Sequence, residues 1–206
     1  MKDQKEHLQA ISEIRSMMER SSRCISLSGL SGIFSGIFAL IGAYYAQKLL
    51  NNLPVNERGY SSDNNGILFM LLMDAGLVLT TSLFMGTILT MRNSRRKGIK
   101  VWDHSAKRLL INLGIPLVTG GLFCIALLYH GIIGLVAPAT LVFYGLALIN
   151  ASKYTFNDIR YLGFCEIILG IISCFYIGYG LYFWAAGFGI LHIVYGAVMY
   201  YKYERN

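Results

Sequence analysis

Three ionisable side chains, Asp74, Glu166 and His192, interrupt runs of otherwise apolar residues. A charge inside hydrocarbon costs a few kcal/mol unless it is paired or hydrated, so such residues mark polar paths or proton-handling groups. At 1.5 Å of rise per residue, Glu166 sits roughly 8 Å from one end of its run and Asp74 roughly 12 Å from the opposite face. His192 falls near the middle of the last run. Glu166 and His192 lie on consecutive runs at depths about one turn apart, close enough to meet directly or through a water. A carboxylate beside an imidazole is a proton-titrating pair; the plainer reading is one internal hydrogen bond that sets helix register.

Asp74 shares a helix face with Thr81, in a segment that also holds Thr80, Ser82, Thr87 and Thr90. A polar stripe of this kind suits a water-filled path. The plainer reading is that each hydroxyl bonds its own backbone. Tyr176, Tyr179 and His130 are the partners that depth suggests for Asp74. No HExxH, GxSxG, nucleotide-binding loop or CxxC pair occurs. The four histidines are scattered, and Cys24, Cys124, Cys165 and Cys174 all sit in apolar stretches as small packing residues. Neither a metal nor a cofactor is expected, and the balance leans away from an enzyme.

The elements that must position these groups are membrane helices. Of 206 residues, 55% are hydrophobic and 14% charged, where a soluble domain carries about 25% charge. The apolar residues gather into six blocks, 24–48, 66–91, 109–129, 131–150, 161–182 and 184–201, each able to cross about 30 Å of hydrocarbon. The closest boundaries are at Tyr129-His130-Gly131 and at Phe183. Sixteen of the eighteen Lys and Arg residues fall on one side of a six-span topology, with Lys48 and Arg58 on the other. The positive-inside rule then puts both termini in the cytoplasm. That charge pattern also explains the net +7 without nucleic acid.

The expected fold is all-α: an integral membrane six-helix bundle over residues 24–206, preceded by an amphipathic cytoplasmic helix over 1–23. That first helix carries Leu8, Ile11, Ile14 or Arg15 and Met18 at three- and four-residue steps, and Ile25 follows two turns on. In the first span Ser28, Gly32 and Gly36 run beside Ser31, Ser35, Ala39 and Ala43. Such a small-residue face lets two backbones approach closely, either within the chain or between two copies in a homo-oligomer. The basic segment 92–108 offers Arg95, Arg96, Lys97, Lys100 and Trp102 to anionic lipid headgroups, at about 1 kcal/mol per basic residue near the surface.

Glycines at seven-residue spacing recur: Gly29/Gly36, Gly114/Gly121 and Gly163/Gly170. Tyr144-Gly145 likewise recurs as Tyr195-Gly196. This suggests three helical hairpins related by rotation about the membrane normal. Pro116 and Pro138 fall inside the third and fourth spans, where each frees a backbone carbonyl and can kink the helix.

The run ISEIRSMMERSSR followed by SLSGLSGI resembles the start of a group of small six-span membrane proteins of Bacteroidetes-type bacteria, over about the first 45 residues. Cys24 departs from it, standing where an aromatic or aliphatic residue is expected. The group carries no assigned activity, so the resemblance implies a location, the bacterial inner membrane, and not a chemistry. Non-enzymatic binding or regulation in the membrane leads the functional expectations. A small transporter or channel, proton-linked through the intramembrane acids, is the alternative, and a membrane-embedded enzyme comes last.

Overall fold

The computed structural model describes residues 28–51, 65–96 and 104–205. The expected helix over 1–23, Cys24, most of the loop 49–65, and Lys97, Lys100 and Trp102 lie outside the described residues. Among the described residues there are six helices and no strand. They are α1 Gly29–Asn51, α2 Asn65–Arg96, α3 His104–Tyr129, α4 Val136–Ala151, α5 Asp158–Phe175 and α6 Gly180–Tyr203. All but α5 are long and apolar enough to cross a membrane, α4 when taken with the 3-10 turns on either side of it as Ile133–Tyr154, so the fold is that of a protein with several membrane helices. Helix α5 has eighteen residues, among them Asp158, Arg160 and Glu166.

The packing is small side chains inside and large apolar ones outside. Ala39, Ala43, Ala46, Ala139, Ala147 and Ala151 are buried, whereas Phe69, Leu77, Phe84, Ile115 and Leu122 face outward. Water would penalise that arrangement. Lipid does not, because tails solvate leucine as well as protein does, and close backbone approach then drives association.

Two antiparallel crossings carry most of that approach. In the first, a Cβ on Gly145 of α4 would lie 2.6 Å from the Gly163 carbonyl of α5, and one on Gly163 would lie 2.7 Å from the Gly145 carbonyl. In the second, a Cβ on Gly36 of α1 would lie 2.6 Å from the Gly189 carbonyl of α6, and one on Gly196 would lie 2.6 Å from the Gly29 carbonyl. The small face of α1 is therefore packed against α6 of the same chain. A third seven-residue pair, Gly114/Gly121, has open space around it. Gly29/Gly36 and Gly163/Gly170 thus share one use, closing on the helices with Tyr195-Gly196 and Tyr144-Gly145, and Gly114/Gly121 does not join them. Helix α2 packs chiefly on α1 and α3 chiefly on α4.

The boundaries follow local chemistry. Helix α3 ends at Tyr129, and Gly131 takes φ +71°, a left-handed conformation that glycine adopts without strain. A second break falls at residues 176–179, where Gly178 has φ +102°, and not at Phe183 as hydropathy suggests. The fifth apolar run therefore belongs to two helices. Pro138 lies in the first turn of α4, where no intrahelical N–H bond is lost, so it breaks nothing. Pro116 lies inside α3 and is buried.

The end of α6 is latched to two helix starts. Lys202 Nζ donates to Asp158 Oδ2 at 2.9 Å and to Oδ1 at 3.1 Å, and the Tyr203 hydroxyl donates to Oδ2 at 2.8 Å. Glu204 accepts from the Gly29 N–H and, at 3.2 Å, from the Ser28 hydroxyl, which places a carboxylate at the positive end of the α1 dipole. Asp158 and Lys202 lie beyond the apolar runs. Partial burial alone would raise the Asp158 carboxyl, but the hydrogen bonds from Lys202 and Tyr203, with the Lys202 charge, outweigh it and hold the group below the usual carboxylate range. A carboxyl lowered by folding stabilises the fold above its unfolded pKa, and that contribution is lost as pH falls through the folded value. Asp158→Asn is therefore expected to lower the thermal midpoint at neutral pH and to converge with wild type in acid. A gap that stays constant from pH 7 to pH 3 would show that the latch is not electrostatic.

Candidate functional site

Glu166 sits on the face of α5 that also carries Asp158 and Leu162, at four-residue steps that keep one helical face turned to the bundle. Its side chain is 0% exposed, and neither carboxyl oxygen makes a hydrogen bond among the described residues. The nearest charge-capable group is the His192 ring, with Nδ1 3.5 Å from Glu166 Oε1. The space for the carboxyl exists because residue 187 is glycine. A Cβ there would fall 2.4 Å from Glu166 Oε2 and 2.5 Å from Leu141 Cδ2.

Gly187 belongs to a π-helical segment, Ala185–Leu191, set within α6. A π-turn is wider than an α-turn, is uncommon, and recurs at functional sites. Here it offers the Gly187 carbonyl to the histidine five residues on, and His192 Nδ1 lies 3.0 Å from that oxygen. The other ring nitrogen, Nε2, lies 2.8 Å from the Tyr144 hydroxyl of α4. The tautomer follows from these partners. Gly187 O and the Glu166 carboxylate are both acceptors, so Nδ1 carries the proton and Nε2 accepts from Tyr144 in the neutral ring. Protonation of the ring would reverse the second bond, with Nε2–H donating to the tyrosine oxygen.

Aromatic rings close the cluster. Tyr144 and Phe188 have centroids 4.9 Å apart, Phe188 stacks on His192 at 5.8 Å, and Trp184 meets Phe188 at 5.0 Å. The result is a buried carboxyl, an imidazole and a phenol in sequence, held by three helices and walled by aromatic faces. Such a chain can take up, hold and pass on a proton. Among the described residues no three His, Cys, Asp or Glu side chains converge as a metal site would need.

No protein-family model, curated protein or solved structure matches this chain. Its site is read from its own geometry.

Of the residues singled out in the sequence, Glu166 and His192 meet, while Asp74 and Thr81 lie elsewhere. Asp74 is half-buried against α1, its Oδ2 3.4 Å from where a Cβ on Gly42 would be, and Tyr176, Tyr179 and His130 are exposed at the turns. Thr81 donates to the Leu77 carbonyl at 2.7 Å and Thr80 to the Gly76 carbonyl at 2.9 Å, so these hydroxyls are held by their own helix. Arg95 and Arg96 end α2 as exposed side chains. Tyr144, Gly187 and the π-segment were missed. Their available signals were the repeated Tyr-Gly pair and the glycine-rich stretch Gly187-Phe188-Gly189 inside an apolar run.

Proposed function

We propose that this chain is a non-enzymatic multi-pass protein of a bacterial inner membrane whose Glu166–His192–Tyr144 cluster binds a proton and couples its uptake to the packing of α6. The observation that carries this reading is Glu166, fully buried without a hydrogen bond and 3.5 Å from an imidazole nitrogen. A group kept only for structure would be satisfied, because an unpaired buried polar atom costs about 1–3 kcal/mol. Persistence of such a cost points to use. The six apolar runs, cytoplasmic termini and basic face belong to the same reading, with Arg95 and Arg96 placed to meet anionic headgroups.

Trp184 supplies the test, since its ring meets Phe188 in a tilted contact and Phe188 stacks on His192. In a Trp102→Phe background, Trp184 emission in lipid vesicles is expected to follow a one-proton transition with pH. Glu166→Gln and His192→Gln are each expected to abolish it. A transition that persists in both variants would end the proposal.

A proton-coupled carrier is a second reading, favoured by the π-segment, because interrupted helices at mid-membrane are where carriers build their sites. It differs by predicting proton-driven solute flux that is lost in Glu166→Gln, while the regulatory reading predicts none.

A further inference from the structure

We infer that Asp74 forms a second polar site, at the contact of α1 with α2, which takes a hydrophobic organic cation from the lipid phase. This site is separate from the Glu166–His192–Tyr144 cluster and does not depend on the proton binding proposed there. Asp74 lies about 12 Å inside the apolar part of α2, towards the middle of hydrocarbon about 30 Å thick. Among the described residues it has neither a hydrogen bond nor an ion pair.

Ile67, Leu71, Asp74, Val78 and Thr81 recur at three- and four-residue steps and form the less exposed face of α2, the face that packs on α1. Opposite them stands Gly42 of α1. A Cβ there would lie 2.4 Å from Val78 Cγ2, 3.4 Å from Asp74 Oδ2 and 3.7 Å from Oδ1. Both carboxyl oxygens therefore rest against α1 at a point where it has no side chain to cover them. The flanks stay open. Helix α2 packs chiefly on α1, and Met70, Met73 and Leu77 of α2 and Ile41 and Tyr45 of α1 are exposed at this level. Asp74 itself is only partly buried, whereas Glu166 is wholly so. A molecule dissolved in the bilayer can reach Asp74 and cannot reach Glu166.

Charge complementarity selects the occupant. An unpaired carboxylate at this depth costs a few kcal/mol, and one positive charge beside it removes that cost. An inorganic divalent ion is a poor match, because it gives up water only for several oxygen ligands. Among the described residues no three His, Cys, Asp or Glu side chains converge to supply them. A hydrophobic organic cation holds its own water weakly and brings an apolar body. Met70 and Met73, one turn before Asp74 and next to it, are exposed, flexible and polarisable, so they adapt to apolar bodies of different shape. The site is thus expected to select for charge and hydrophobicity above shape.

Tetraphenylphosphonium, a permanent hydrophobic cation, is the probe, and its binding to the full chain in a neutral detergent is measured by equilibrium dialysis. Saturable binding is expected. Asp74→Asn keeps the side-chain size and removes the charge, and it is expected to weaken binding about 30-fold or more, the effect of removing one member of a close charge pair. Glu166→Gln is expected to bind as wild type does, so loss of the proton site and loss of this one are told apart. A second measurement needs no variant: dicyclohexylcarbodiimide, which attacks carboxyls from the lipid phase, is expected to label Asp74, and the probe to slow that labelling. Equal affinity in Asp74→Asn, no saturable binding in wild type, or loss in Glu166→Gln alone would overturn the inference. A dimer that Asp74→Asn splits would overturn it too, because a second copy would then be the occupant.

Discussion

Gly196→Ala is expected to lower the temperature at which the bundle unfolds, because it drives a methyl into the buried crossing of α1 and α6. The new Cβ would meet only backbone: the Gly29 carbonyl oxygen at 2.6 Å, the Ile33 nitrogen at 2.6 Å and the Gly32 carbonyl carbon at 3.0 Å. A side chain can turn aside, but a helix backbone cannot without moving the helix. Overpacking costs about 1–3 kcal/mol where side chains adjust, and backbone contacts on this scale put the loss at the top of that range or above it. Gly121→Ala is the control. Nothing lies within 4 Å of its added methyl, and leaving behind the conformational freedom of glycine favours the helix by about 0.5–1 kcal/mol. Thermal midpoints in detergent should therefore move in opposite directions. Equal shifts would mean that α1 and α6 do not cross at the glycines.

Glu166→Met should stabilise the protein and silence it together. Both carboxyl oxygens are buried without hydrogen bonds, and an apolar side chain of similar reach removes their desolvation cost. The expected gain is about 1–3 kcal/mol, since replacing an unsatisfied polar group by an apolar one recovers the penalty for leaving it unpaired. His192 retains the Gly187 carbonyl and the Tyr144 hydroxyl. The pH transition of Trp184 should vanish in the same variant. Stability given up for a strained site is the usual mark of function. A large loss of stability in Glu166→Met, with its pH transition intact in Glu166→Gln, would make the carboxyl a structural support and not a proton site.

Much of the helix pattern could be read from hydropathy because five of the six described helices lie in apolar stretches long enough to cross a membrane. The break at Gly131 could be read as well, since two spans in a row need a turn. The turn at 176–179 could not. Tyr176, Ile177 and Tyr179 are apolar enough to extend the run, and only the backbone angle at Gly178 reveals the reversal. Rise per residue gives depth, which is why Glu166 and His192 could be paired in advance. It does not give direction around the helix axis. Asp74 therefore looked like a third member of the polar set and instead faces α1. Tyr144 enters the site from α4, and no local spacing announces a contact 48 residues away. The π-segment depends on the same tertiary packing, with Gly187 making room for a carboxyl on another helix.

The crossing of α1 with α6 has a consequence for how the protein is made. The crossing of α4 with α5 joins neighbours in the chain and can close as soon as α5 enters the membrane. The partner of α1 is the last helix described, so Gly29 and Gly36 wait with an open groove while four helices are inserted. Docking of α6 on α1 is thus a late event in biogenesis, and the Glu204 contact to Gly29 lies at the end of that crossing. Ribosome stalling before α6 would leave a bundle whose second half is assembled and whose first half still lacks its partner.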